Sequence, residues 1–167
     1  MLTTERLTLR RPKASDWPAF RDFLTSERSR AIGGPDHIGV AWRTFASEIG
    51  HWDINGFGMW SVTRTGDDTN IALIGPWHPI DWPEKEIGWM VLDPAVEGTG
   101  IATEAARAAI NHAFTELGWD TAVSYIDPDN YRSIALAEKL GAVRDDAATP
   151  PERYPGAYVY RHPRVAA

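Results

Sequence analysis

Residues 93–105, DPAVEGTGIATEA, set Gly98 and Gly100 one residue apart, between an apolar run and an alanine-rich stretch. Glycine reaches positive φ without steric cost, and lacking a Cβ it lets another group approach the main chain. Such a pair ahead of a helix predicts a tight turn with outward-facing N–H groups. The helix beyond it adds its own unpaired amides and the positive end of its dipole at the same point, which suits a phosphate or diphosphate. The plainer alternative is that the glycines only shape the turn. A Gly-Lys-Ser/Thr phosphate loop is excluded because the stretch has no lysine, and a dinucleotide fingerprint would need glycine where Thr103 stands. Ala102, Ala106, Ala109 and Ala113 recur at helical spacing, so this helix can lie close against a sheet.

The flanks extend the pattern. EIGWMVLDP, from Glu86, reads as a buried strand, and 101–117 as a packed helix stopped at Gly118. Upstream, RLTLRR alternates as a strand, and the next segment offers Ser15 or Asp16 as the cap of a helix burying Trp17, Phe20 and Leu24. After the break at 33–35, Trp42, Phe45, Ile49 and Trp52 mark the apolar stripe of a second helix, closed at Gly56. FGMWSVTRTGDDTNIALIGPWHPI reads as a hairpin around TGDDTN. Its second strand is expected to stop pairing or bulge near Gly75, because Pro76 and Pro79 carry no N–H. A tryptophan-rich loop, PWHPIDWPEKE, leads back to Glu86. TAVSYI then forms a strand, and DNYRSIALAEKLG a helix capped near Asp129 or Asn130 and stopped at Gly141. Short strands follow near 142–144 and in AYVYRH. The order β, α, α, β, β, β, α, β, α, β, β predicts a mixed α/β (α+β) fold in a single domain, residues 1–167.

Composition removes several function classes. A net charge of −6 disfavours nucleic acid, and the lack of cysteine excludes disulfides, thiolate metal sites and a cysteine-linked covalent intermediate. The five histidines show no metal-ligand spacing, and His112 and His162 read as surface residues, so no metal is expected. MLTTERLTLRRPKASDW contains no unbroken apolar stretch, so neither a signal peptide nor a membrane span is expected, and the chain reads as cytoplasmic.

The runs EIGWMVLDPAVEGTGIATEA (86–105) and NYRSIALAEKLGA (130–142), with TERLTLRRPKASDW and IALIG in support, resemble the GNAT superfamily of N-acetyltransferases, in particular its RimJ/RimL-like branch. The family's phosphate loop, Gln/Arg-x-x-Gly-x-Gly/Ala, is met by Glu97-Gly98-Thr99-Gly100-Ile101-Ala102, with glutamate at the first position. The resemblance implies a mostly antiparallel twisted sheet with splayed central strands, flanked by about four helices. It implies acetyl-coenzyme A (acetyl-CoA) as cosubstrate, its diphosphate held by the main chain of Glu97, Gly98, Thr99, Gly100, Ile101, Ala102 and Thr103. The pantetheine arm would add along the strand edge at Met90, Val91 and Leu92 and would meet Asn130, which is equally a favoured helix N-cap.

Acetylating an amine requires the neutral nitrogen. A lysine-like amine has a pKa of about 10.4, so a base or a desolvated pocket has to take its proton. By resemblance Glu86, just before Ile87-Gly88-Trp89, is that base. Asp81, Glu84 and His78 are rivals, and Glu86 could instead be a strand-end charge facing water. Many relatives carry an acid tyrosine where this chain has Ala137. Ser133, where RimL-like enzymes carry serine, could hydrogen-bond the departing thiolate or be simply a first-turn helix residue. An amide near Met90 or Val91 would polarise the carbonyl. Asp36, Trp77, Asp81, Trp82 and Glu84 suit a cationic acceptor. The implied activity is acetyl-CoA-dependent transfer to a primary amine, on a protein N-terminus or a small molecule, by direct attack in a ternary complex. A non-catalytic acyl-CoA-binding module is the alternative. No nucleic-acid or membrane partner is expected, and a homodimer is left open.

Overall fold

The computed structural model describes residues 1–164. Its core is one eight-stranded sheet in the order β1-β2-β3-β4-β5-β6-β8-β7. The strands are β1 (Leu2–Thr3), β2 (Leu7–Arg10), β3 (Trp60–Arg64), β4 (Ala72–Trp77), β5 (Glu86–Val91), β6 (Val123–Ile126), β7 (Val143–Arg144) and β8 (Tyr158–Arg161). Every neighbouring pair is antiparallel except β5 with β6. Four α-helices cover the sheet: α1 (Trp17–Leu24), α2 (Ile38–Asn55), α3 (Ile101–Thr115) and α4 (Tyr131–Lys139). This is the mixed fold that the element order predicts, with the mostly antiparallel sheet that the family resemblance implies.

Strand alternation assigns the faces. Leu73 of β4 and Met90 of β5 point toward α1 and α2, where they meet Phe20 and Phe45. Ala72 and Ile74 point the other way and pack on Ile101, Ala105, Ala106 and Ala109 of α3. The alanines bring α3 close to the sheet, and Gly118 turns the chain off beyond it with φ +64°.

Several local expectations are corrected. The expected first strand is β2, and a two-residue strand too short to show a period, β1, precedes it. Asp16 precedes α1 but makes no side-chain cap; its carboxylate is taken by Arg10 (2.7 and 2.8 Å) and by the Ser61 hydroxyl (2.8 Å). The inward face of α2 is Ala41, Phe45, Glu48 and His51, while Trp42 stays largely exposed and stacks edge-on against Trp17. β4 neither stops nor bulges at Gly75: it pairs with β5 as far as Trp77, opposite Glu86. Pro76 is tolerated because it faces Ile87, whose carbonyl is directed toward β6, so this ladder needs no donor there. β3 has also ended, at the pair Trp60 with Ile74. His162 is buried, not at the surface.

Candidate active site

The sheet opens between β5 and β6. These parallel strands share one bridged pair, Glu86 with Val123, and diverge from there. Ser124 spans the start of the gap. Its hydroxyl donates to the Ile87 carbonyl (2.6 Å) and accepts from Nε2 of His162 (2.9 Å). Burial holds the His162 imidazole down to about 4, so it is neutral at physiological pH.

A cavity of about 520 Å³ occupies the opening, lined by residues of β5 and β6, the start of α4, one face of α2 and the segment around Tyr154. Glu86 lies at its base. Its Oε2 accepts from the Trp82 indole (2.6 Å), and the residue is half-buried and lines the cavity. Burial pushes it up to about 7, against the pull of the Trp82 hydrogen bond. Such a carboxyl can accept a proton near neutrality.

The rivals fall outside the cavity. Glu84 is held bidentately by Arg161 (2.7 and 2.9 Å), Asp81 is exposed, and His78 contributes its backbone N–H to Nε2 of His51 (3.1 Å). Of the proposed acceptor-side residues, Asp36, Trp77 and Trp82 line the cavity, while Asp81 and Glu84 do not.

A deeply buried carboxyl lines it as well. Glu48 of α2 is 4% exposed, and among the described residues its Oε2 has no hydrogen-bond partner. Burial, and next the nearby charge of Glu86, push it up to about 8. Sequence reading passed it over, although a signal existed: Glu48 stands three residues after Phe45, a charge on the face that turns inward.

Ser133 accepts from the Trp89 indole (3.0 Å), which leaves its own hydroxyl proton available to the cavity. Asn130 caps α4 by accepting the Ser133 amide (3.2 Å), and its side-chain NH2 stays free of that bond. Ala137 is fully buried in a cluster with Ile126 and Tyr160 and does not line the cavity.

Beyond the far end of β5 lies the glycine loop. Gly98 and Gly100 adopt φ +74° and +84°. The first helical bond of α3 runs from Glu104 to the Gly100 carbonyl (3.0 Å), so the amides of Ile101, Ala102 and Thr103 have no intrahelical acceptor. Glu97, the departure from the family pattern, is clasped between Arg28 (2.7 Å) and Arg132 (2.5 Å). The Arg28 guanidinium also donates to the carbonyls of Val91 (2.8 Å) and Leu92 (2.6 Å), so the strand edge expected to receive an extended chain already holds a side chain there. Alternation from Lys85 and Ile87, whose carbonyls face β6, puts the amides of Trp89 and Val91 on the open edge and that of Met90 in the ladder with β4. The expected residues thus fall into two groups: Glu86, Met90, Asn130 and Ser133 around the cavity, and 97–103 at the start of α3, with Val91 and Leu92 between them. Among the described residues no cluster of histidine and carboxylate could hold a metal, and no helix is long and apolar enough to cross a membrane.

Comparison with known proteins gives this geometry a setting. The model of the acetyltransferase (GNAT) domain family matches residues 6–143. An acetyltransferase from Agrobacterium tumefaciens str. C58 superposes with a TM-score of 0.91 at 39% identity, covering 97% of this chain and 93% of that one. The aminoglycoside acetyltransferase AAC(6')-Ib, solved in complex with coenzyme A, shares the fold with a TM-score of 0.76 at 18% identity, each chain being 95% covered. The uncharacterized protein YkkB of Bacillus subtilis (strain 168) is 35% identical over 88 residues, 52% of this chain and 51% of YkkB, so the match spans about half the length of that relative.

Proposed function

Because the chain belongs to the acetyltransferase (GNAT) domain family, we propose that it transfers the acetyl group of acetyl-CoA to a primary amine by direct attack in a ternary complex, with Glu86 as general base. The observation that carries this reading is the Glu86 carboxyl at the base of the β5–β6 opening, pushed by burial to about 7. Glu86 before Ile87-Gly88-Trp89, together with Ser133 three residues after Asn130, supports a place near the RimJ/RimL-like branch.

The coenzyme fits the residues present. The free amides at the start of α3, behind two glycines of positive φ, suit its diphosphate, and the open edge of β5 suits the amides of its arm. The fold shared with a coenzyme A complex supports the same placement. When bound, the thioester supplies an activated acetyl carbonyl. Glu86 takes the proton as the amine nitrogen bonds to that carbonyl carbon, and the amide of Trp89 or Val91 donates to the carbonyl oxygen. As the carbon–sulfur bond breaks, the Ser133 hydroxyl, fixed by Trp89, donates to the leaving sulfur. A thiol pKa of about 8.5 asks little more of an acid, which accommodates alanine at 137.

Thiol release from acetyl-CoA across a panel of amino-terminal peptides, diamines and amino sugars tests the reading. Turnover with at least one amine is expected, and Glu86→Gln should lose about a hundredfold or more in rate while binding coenzyme A as before. Tight coenzyme binding without turnover on any amine would overturn the reading in favour of a binding module.

A further inference from the structure

Glu48 is a buried carboxyl that forms no salt bridge among the described residues. Its neighbour one turn along α2, His51, is committed elsewhere: Nε2 accepts from the His78 amide (3.1 Å), so Nδ1–H donates to the Phe57 carbonyl (2.8 Å). Burial keeps that ring below its ordinary pKa and therefore neutral, stacked on Trp77 at 4.3 Å. Among the described residues Glu48 Oε2 has no hydrogen-bond partner, although the residue lines the cavity that also holds Glu86. The other charged residues lining that cavity are Asp36, Asp127, Asp129 and Arg153, so carboxylates dominate it. A carboxyl kept 4% exposed without a partner is costly to the fold unless something that enters the cavity satisfies it. Aromatic walls at Trp77, Trp82 and Tyr154 favour a cationic entrant over a neutral one.

Resting on the acetyl-transfer reading above, we propose that Glu48 anchors a second cationic group of the acceptor, so that the cavity takes a small molecule bearing two ammonium groups, one presented to Glu86 and the other held at Glu48. Glu48 is then a specificity-determining residue: it distinguishes a diamine from a monoamine of the same length, and from a peptide N-terminus whose neighbouring groups are uncharged.

The test compares α,ω-diamines of two to six carbons with monoamines of matched length, in wild type, Glu48→Gln and Glu48→Asp. Two readouts are needed: kcat/KM in the thiol-release assay, and calorimetric binding to protein saturated with coenzyme A. In wild type at least one diamine should exceed its matched monoamine by about ten- to a hundredfold, the range expected of a buried charge-assisted contact. In Glu48→Gln that ratio should fall to near one, mainly through KM, and Glu48→Asp should restore part of it at a different chain length. The ratio is internal to each variant, so partial loss of folded protein does not alter it. Equal values for diamine and monoamine in wild type, or a ratio that survives in Glu48→Gln, would overturn the proposal. Selective diamine binding without turnover would leave Glu48 as the anchor and overturn the acetyl-transfer reading instead.

Discussion

Glu48→Gln is expected to stabilise the ligand-free protein at high pH while changing it little at low pH. In the fold the Glu48 carboxyl is raised from 4.5 to about 8, chiefly by burial. The folded state therefore holds this proton more tightly than the unfolded chain does. Between those two values the native protein binds the extra proton, so stability falls as pH rises and levels off above about 8. At roughly 1.36 kcal/mol per pKa unit the full difference is about 4–5 kcal/mol, and hydration and relaxation around the charge reduce it to about 2–4 kcal/mol. Glutamine has the shape of the protonated side chain and no charge. The variant should thus lie within about 1 kcal/mol of wild type at pH 5 and exceed it by about 2–4 kcal/mol at pH 9, or about 5–15 °C in midpoint. Urea unfolding followed by the fluorescence of the eight tryptophans measures this directly. A gap of equal size at pH 5 and pH 9 would refute the reasoning, since it would mean that the Glu48 carboxyl carries no burial penalty on its charge.

Three further expectations follow from the same geometry. Glu97→Gln frees Arg28 and Arg132 to meet phosphate, so coenzyme A should bind about three- to tenfold more tightly at low salt, with a steeper salt dependence; unchanged or weaker binding would show that the arginines do not reach it. With Glu86 pushed up to about 7, kcat/KM should rise with pH through an acid limb near neutrality; a limb at the ordinary glutamate value would remove Glu86 as base. Ser124→Ala leaves the Ile87 carbonyl and the buried His162 without their shared partner, so it should cost about 1–3 kcal/mol in thermal or urea unfolding, and a neutral result would show that water replaces the hydroxyl.

Local chemistry was legible in the chain because it is written in neighbouring residues. Gly98 and Gly100 announced a left-handed turn whatever packs around it, since positive φ is a property of the residue itself, and the alanines of α3 announced a close-packed helix by their spacing alone. The strand from Glu86, the cap at Asn130 and the stop at Gly141 followed for the same reason. What the sequence could not decide was which side chains meet across the fold. Glu48 shares a cavity with Glu86, 38 positions later in the chain, only because the fold brings one face of α2 and the start of β5 to the same opening. Arg28 reaches Val91, Leu92 and Glu97 from a segment more than sixty residues away. Pro76 stays in its ladder because β3 ends where it does, and Glu84 lies outside the cavity, paired with Arg161 of the last strand. A buried charge and an occupied strand edge are facts about neighbours distant in sequence, and only tertiary packing chooses those neighbours.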